Sequence, residues 1–289
     1  MKTALITGTS TGIGQDTALT LARAGLTVIA TMRDPSRGQI LLDHAQAEGL
    51  ALEVQQLDVQ NPQQITEVVN GILQRYGQLD VLINNAGAGY LGTTEETPVE
   101  DLMKVLDVNF IGAYRLTQAV LPHMRERGQG HILSVSSIGG LIGQPFNDAY
   151  CAAKFALEGM MESLAAVMQF YGVRVSLIEP GPVNTAFVAN VGGQLTGGAL
   201  TSPEQTSPYQ ALREAYLNGS AEVFSSMGQT GADVAEVILQ AINAENPHLR
   251  YQTSGTIQHL ASLKYVDPTG DSVLKLNSSR LAAAGLEIK

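Results

Sequence analysis

Residues 3–14 read Thr3-Ala4-Leu5-Ile6-Thr7-Gly8-Thr9-Ser10-Thr11-Gly12-Ile13-Gly14. An apolar run suited to a buried strand enters a turn rich in glycine and re-emerges with the apolar spacing of a helix. Glycine has no Cβ, so such a turn bends tightly and lets the main chain approach a bound group. The first turn of the helix that follows leaves N–H groups unpaired and carries partial positive charge, which suits a phosphate. A glycine-rich turn alone also serves plain packing; its place between strand and helix favours the phosphate reading.

Working outward, the same unit recurs. The first strand covers residues 3–7 and its helix 13–24, closed by Gly25. Strands are then expected at 26–32, 51–57, 80–83, 130–135 and 173–179. Helices are expected at 38–47, 63–75, 99–106, 113–126 and 149–170. Apolar strands alternating with helices are the pattern of a parallel sheet covered on both faces. Residues 189–228 are rich in glycine, serine and threonine around a helix expected at 209–217, and have no clean period. An active-site cover and a plain surface insertion both fit that composition. A helix at 232–243, a short strand at 249–252 and a weakly patterned tail follow. No repeat or linker divides the chain, so residues 1–289 read as one doubly wound α/β domain.

The composition agrees with a folded chain: 44% hydrophobic, 15% charged and 30 glycines in 289 residues. A net charge of -10 disfavours nucleic acid or an anionic membrane as partner, while a local cation can still meet a phosphate. Cys151 is the single cysteine, which excludes an internal disulfide and a cysteine metal cluster. His44, His123, His131, His248 and His259 are scattered without ligand spacing, so no metal is expected. The amino end enters a strand without the longer apolar stretch of a leader. No run approaches the roughly 18 apolar residues of a membrane span. A cytoplasmic protein without an integral membrane segment is the expectation.

Three strand ends add to the ligand reading. At the second strand, an acid would accept from the adenosine ribose of a dinucleotide, whereas a cation would accommodate an extra phosphate. Here Ala30-Thr31-Met32 is followed by Arg33 and only then by Asp34. Arg33 with Ser10 therefore favours NADP(H); an exposed arginine paired with Asp34 is the alternative. Asp58 in Leu57-Asp58-Val59 is placed to meet the adenine amine. Asn84-Asn85-Ala86-Gly87 offers small residues and amides along a cofactor. Either segment alone is also a capping turn.

At the fifth strand Ser134, Ser136 and Ser137 reach the sheet edge, and Tyr150-Cys151-Ala152-Ala153-Lys154 follows. Tyrosine and lysine four apart on a helix share one face. A free phenol has a pKa of about 10, too high for an efficient base at neutral pH. The Lys154 charge, together with a nearby oxidised nicotinamide, is expected to lower it, so that Tyr150 moves a proton while Ser137 holds a substrate oxygen. A surface pair whose lysine stem covers the ring is the plainer reading. Asn109 in Asp107-Val108-Asn109 either interrupts a helix and holds water near Lys154 or is an ordinary polar residue.

In this order, the glycine-rich turn, Asn84-Asn85-Ala86-Gly87, Asn109, Ser137, Tyr150, Lys154 and Pro180-Gly181-Pro182-Val183-Asn184-Thr185 resemble the short-chain dehydrogenase/reductase family over most of residues 1–188. The resemblance implies a Rossmann-like sheet and a catalytic set of Asn109, Ser137, Tyr150 and Lys154, with Asn109 supporting a water on the proton path. It implies that Lys154 bonds the nicotinamide ribose and that Tyr150 lies beside the ring. Cofactor contacts are then expected from Gly8, Ser10, Gly12, Ile13, Gly14, Arg33, Asp58, Val59, Asn85, Ala86 and Gly87. Pro180, Gly181, Val183 and Thr185 complete them, Val183 through its backbone and Thr185 through its hydroxyl.

Residues 138–159 together with Ala30-Thr31-Met32-Arg33-Asp34 look like the branch that contains 17-beta-hydroxysteroid and retinol dehydrogenases. That likeness implies NADP(H), with NAD(H) less favoured, and an apolar steroid-like or retinoid-like alcohol or ketone. Phe187, Leu195, Tyr209, Tyr216, Phe224 and Met227 are candidates to line its pocket or to pack a lid. A homodimer or homotetramer is implied, with helices around 100–126 and 149–170 at the interface. A general carbonyl or 3-oxoacyl reductase and a non-catalytic NADP(H)-binding sensor are the competing readings.

Overall fold

Side-chain alternation decides how the strands sit. In β1 (Thr3–Thr7) Ala4 and Ile6 face one side of the sheet and Leu5 the other. In β2 (Thr27–Met32) Val28, Ala30 and Met32 oppose Ile29 in the same way. Strands apolar on both faces need cover on both, and the helices between strands supply it. The computed structural model describes residues 1–185 and 207–281. Within them β3 (Leu52–Gln56), β4 (Val81–Asn84), β5 (Gly130–Val135), β6 (Val173–Glu179) and β7 (Arg250–Gln252) complete a parallel sheet. Its order is β3-β2-β1-β4-β5-β6-β7. The chain therefore builds outward from β1 in one direction and from β4 in the other. At that reversal the strand carboxyl ends leave a crevice, the usual ligand position in such sheets.

One core layer joins Ile6, Leu21, Ile83 and Val234 from β1, α1 (Gly12–Arg23), β4 and a later helix; the other joins Leu5, Ile72, Leu82, Leu116 and Leu157. The second layer lies under α3 (Pro62–Tyr76), α5 (Gly112–Arg127) and α6 (Asp148–Met168). Each buried leucine or isoleucine contributes about 1.5–3 kcal/mol relative to exposure. Local signals set the boundaries. Asn61 accepts from the Gln63 and Gln64 N–H groups, Pro62 opens α3, and Gly77 in the left-handed region ends it. The first α-helix after β2 is α2 (Gln39–Glu48), and α4 (Val99–Leu106) precedes α5.

Three regions differ from the sequence expectation. Helices α4 and α5, expected as separate helices at 99–106 and 113–126, are joined by a π-helical turn, Asp107–Ile111. The helix expected at 209–217 is α7 (Gln210–Met227). It continues through Asn218-Gly219-Ser220 although glycine disfavours a helix, because its first half is anchored by Tyr216 packed on Leu91 and Phe146. After α8 (Gly231–Asn243) and β7, the tail folds as α9 (Gly255–Val266) and α10 (Asp271–Ser279). Ile257 and Ala261 of α9 pack on Ile138, Leu141 and Ile142. No helix among the described residues is long and apolar enough to cross a membrane.

Candidate active site

The glycine-rich turn leaves β1 and meets the end of β4. Gly8 and Gly12 have φ of 72° and 62°, the left-handed region glycine favours. A Cβ on Gly8 would stand 2.7 Å from the Ala86 Cα; one on Gly14 would stand 2.4 Å from both the Gly8 carbonyl oxygen and Asn85 Nδ2. Asn85 Nδ2 donates to the Thr7 and Gly8 carbonyls at 2.9 and 3.0 Å, while the Asn85 and Ala86 N–H groups donate to Thr7 Oγ1 at 3.0 Å. The two turns are thus one unit with no room for larger side chains. The first turn of α1 has neither a side-chain cap nor an acidic residue, so its N–H groups and dipole suit an anion. Ser10 and Ile13 lie in this turn, both partly buried.

The dinucleotide suggested by the sequence fits this cradle, and two further strand ends were singled out with it. Arg33 is exposed after β2. Asp34 Oδ1 accepts from the Ser36 N–H at 3.0 Å and the Ser36 hydroxyl at 2.7 Å, so Asp34 closes its own turn and is not paired with Arg33. Asp58 accepts from the Gln60 N–H at 3.0 Å through one carboxyl oxygen. Val59 turns its side chain into the core against Gly112, and its carbonyl accepts from Arg115 at 3.4 Å.

Beyond β6, Thr185 meets the first turn: a Cβ on Gly12 would lie 3.0 Å from Thr185 Cβ. The Pro180 carbonyl accepts from the Ile138 N–H at 2.9 Å, tying this segment to the end of β5. Gly181 admits Ile257, whose Cδ1 would be 2.3 Å from an added Cβ. Val183 bridges Gln229 through bonds to the flanking Pro182 carbonyl and Asn184 N–H, which leaves the Val183 peptide groups outside the bridge. Gln229 and Thr253, which sequence reasoning missed, lock it: Gln229 Nε2 donates to the Thr253 carbonyl at 2.7 Å.

At the end of β5 the three serines separate. Ser134 accepts from Asn84 Nδ2 at 3.2 Å inside the sheet, and Ser136 is buried against Gly140, whose Cβ position is 2.6 Å from Ser136 Oγ. Ser137 alone meets Tyr150: a Cβ on Gly139 would be 3.4 Å from both Ser137 Oγ and Tyr150 Cε1. Lys154 Nζ donates to the Val135 carbonyl at 2.9 Å and lies 5.7 Å from the Tyr150 ring centroid. Asn109 sits in the π-helical turn, 1% exposed. Its Nδ2 donates to the Ala88 and Val105 carbonyls at 2.9 and 3.0 Å, and its Oδ1 accepts from the Ala88 N–H at 3.2 Å. Asn109 thereby pins the loop after β4. Gly87 lies between the two groups, its Cβ position 2.8 Å from Asn109 Oδ1 and 3.8 Å from Lys154 Nζ.

Burial sets the electrostatics of the two groups. Burial pushes Tyr150 up to about 12, with the Ser137 hydrogen bond acting in the opposite direction. Burial pushes Lys154 down to about 8, opposed by the charge of Glu158. The Lys154 ammonium is held on a carbonyl beside the ring. At neutral pH this gives a protonated phenol beside a charged lysine, a proton donor ready to act. Ionisation for the reverse direction requires added positive charge.

Of the pocket candidates, Tyr216 is buried with Asn147 Nδ2 donating to its hydroxyl at 3.0 Å, so it anchors α7. Tyr209 is held by Glu95, Phe224 is partly buried and Met227 is 48% exposed. Phe187 and Leu195 lie outside the described residues, as do residues 189–206 of the region 189–228, read as an active-site cover or a surface insertion.

Residues 2–195 match the family described as short chain dehydrogenase. Retinol dehydrogenase 8 of Bos taurus is 42% identical over 275 residues, 93% of this chain and 86% of its own. The 17-beta-hydroxysteroid dehydrogenase type 1 of Homo sapiens is 40% identical over 279 residues, covering 93% and 82%. Among solved structures, a short chain dehydrogenase/reductase from Burkholderia phymatum in complex with NAD superposes with a TM-score of 0.79 at 25% identity, covering 93% and 95%. An actinorhodin polyketide ketoreductase with NADPH gives 0.75 at 28% identity, covering 89% and 97%.

Proposed function

Because the chain belongs to the short-chain dehydrogenase family, we propose that it is an NADP(H)-preferring oxidoreductase interconverting a secondary alcohol and its ketone on an apolar, steroid-like or retinoid-like substrate. The convergence of Ser137 Oγ and the Tyr150 ring on Gly139, with Lys154 beside that ring, carries the reading. Gly8, Ser10, Gly12, Ile13 and Gly14 hold the pyrophosphate, and Arg33, left by Asp34, meets the 2′-phosphate. Asp58 and Val59 flank the adenine, Asn85, Ala86 and Gly87 line the crevice, and Pro180, Gly181, Val183 and Thr185 meet the nicotinamide end. When bound, the dinucleotide supplies or accepts the hydride.

The protein manages the oxygen and its proton. Ser137 holds the substrate oxygen next to the Tyr150 hydroxyl, which is reached as a protonated acid. In reduction Tyr150 donates that proton to the oxygen as negative charge grows there; in oxidation it takes the proton back. Lys154 stabilises the phenolate left behind, and Asn109 fixes the loop that lines this corner. Exposed Tyr114 on α5 and Val167 on α6 support self-association through these helices.

The names of the relatives favour an apolar substrate over a small polar one. A panel of alcohols and carbonyl compounds with NADPH/NADP+ and NADH/NAD+, followed at the nicotinamide absorbance, tests the reading. Preference for bulky lipidic ketones with NADPH is expected. Preference for small polar ketones or acyl derivatives points to a general reductase, and dinucleotide binding without turnover on any compound points to a sensor.

A further inference from the structure

Behind the Tyr150–Lys154 face, charged side chains from separate elements meet in the core. Glu158 follows Lys154 by one helical turn on α6, and each is 5% exposed. Glu179 ends β6 with 0% exposure, and Arg250 opens β7. Arg250 Nε is 3.2 Å from Glu158 Oε2 and 3.2 Å from Glu179 Oε1, while Nη2 reaches Glu162 Oε2 at 2.5 Å. Gly140 is wedged among them. A Cβ there would lie 2.6 Å from Ser136 Oγ, 3.0 Å from Glu158 Cγ and 3.2 Å from the Lys154 carbonyl oxygen.

A buried carboxylate is costly unless paired, and pairing Glu158 with Arg250 seldom improves stability over an apolar pair. A role beyond stability is therefore worth seeking. Lys154 Nζ bonds a neutral carbonyl, and no ion pair to it occurs among the described residues. A sealed ammonium without a counter-ion sheds its proton. We propose that Glu158 is a positioning residue: its carboxylate, clamped by Arg250 one helical turn from Lys154, is the counter-ion that keeps the Lys154 side chain an ammonium.

The groups facing Glu158 are consistent with this. They are Lys154 and Glu162 from α6, Arg250 from β7, Glu179 from β6, Ser136 at the end of β5 and Tyr265 from α9. Burial and the charge of Glu158 push Glu179 up to about 7.

The proposal rests on Lys154 acting as a cation beside Tyr150, so its test reads that charge without turnover. Lysine Cε resonances of the dinucleotide-free protein are titrated by NMR, with Lys154→Arg assigning the signal. In Glu158→Gln the Lys154 midpoint is expected to fall by on the order of half to one pH unit, and the alkaline limb of the reduction rate to move with it. Glu158→Asp, which keeps the charge, restores most of the midpoint, and Glu162→Gln leaves it in place. A midpoint unchanged in Glu158→Gln overturns the proposal. Should that variant not fold, the wild-type titration decides: a Lys154 midpoint below 7 overturns it, and one at 7 or above supports it. A shifted midpoint in a protein without hydride transfer would keep the counter-ion and remove only the functional reading.

Discussion

At Tyr150 two opposing effects meet, and burial wins, leaving a phenol that holds its proton near neutral pH. Tyr150→Phe removes the hydroxyl and little volume. It is expected to lower turnover by on the order of 10²–10⁴-fold with NADPH affinity and melting temperature nearly unchanged; turnover close to wild type would remove Tyr150 from proton transfer. Arg33→Ala tests the other end of the crevice. Losing a charge-assisted contact to phosphate should weaken NADPH by about ten-fold or more while NADH binding stays near its starting value, as read by fluorescence titration of each dinucleotide. The spacing of Tyr150 and Lys154 made this pair legible, because four residues on a helix share a face. Glu158 has the same spacing from Lys154, yet its partner Arg250 lies 92 residues away, and no local pattern links them.

At the scale of elements, the first strand, turn and helix act together with the turn after β4. Gly14→Ala places a methyl group 2.4 Å from the Gly8 carbonyl oxygen and from Asn85 Nδ2. Since Gly8 is held by main chain, the turn must open. We expect a stability loss of about 1–3 kcal/mol and a larger proportional loss of dinucleotide affinity, measured by thermal unfolding and NADPH titration; affinity within two-fold of wild type, roughly the scatter of such titrations, would contradict the cradle. β1, β5 and β6 follow their sequence boundaries, since each is an apolar run bounded by turn residues. The π-helical turn at Asn109 was legible only as an interruption, because its register depends on Asn109 bonding Ala88 across 21 residues. α7 outran its expected end for the related reason that Tyr216 is fixed by Phe146 and Asn147, which belong to another loop.

For the whole molecule, acid stability should report a buried base far from the site. His131 on β5 is 6% exposed, shares a 3.0 Å hydrogen bond with Ser176, and is pushed down to about 4 by burial and then by the charges of Arg174 and Lys2. Its ordinary value is 6.5, so between these limits the unfolded chain binds more protons than the folded one. Stability is fully present above about pH 6.5 and falls as the pH drops toward 4, by on the order of 3 kcal/mol. Urea unfolding of wild type and His131→Asn across that range checks it: the variant should show a flatter dependence, and equal slopes would contradict it. The sequence by itself determined the alternation of strand and helix, the glycine turn, the Tyr150–Lys154 face and the family likeness, because each is written in local spacing. Only the tertiary structure decided that Ser137, and not Ser134 or Ser136, meets the phenol, that Asp34 leaves Arg33, and that Glu158 and Arg250 lie behind Lys154. Those outcomes depend on strand order and burial, which bring together residues that no local period connects.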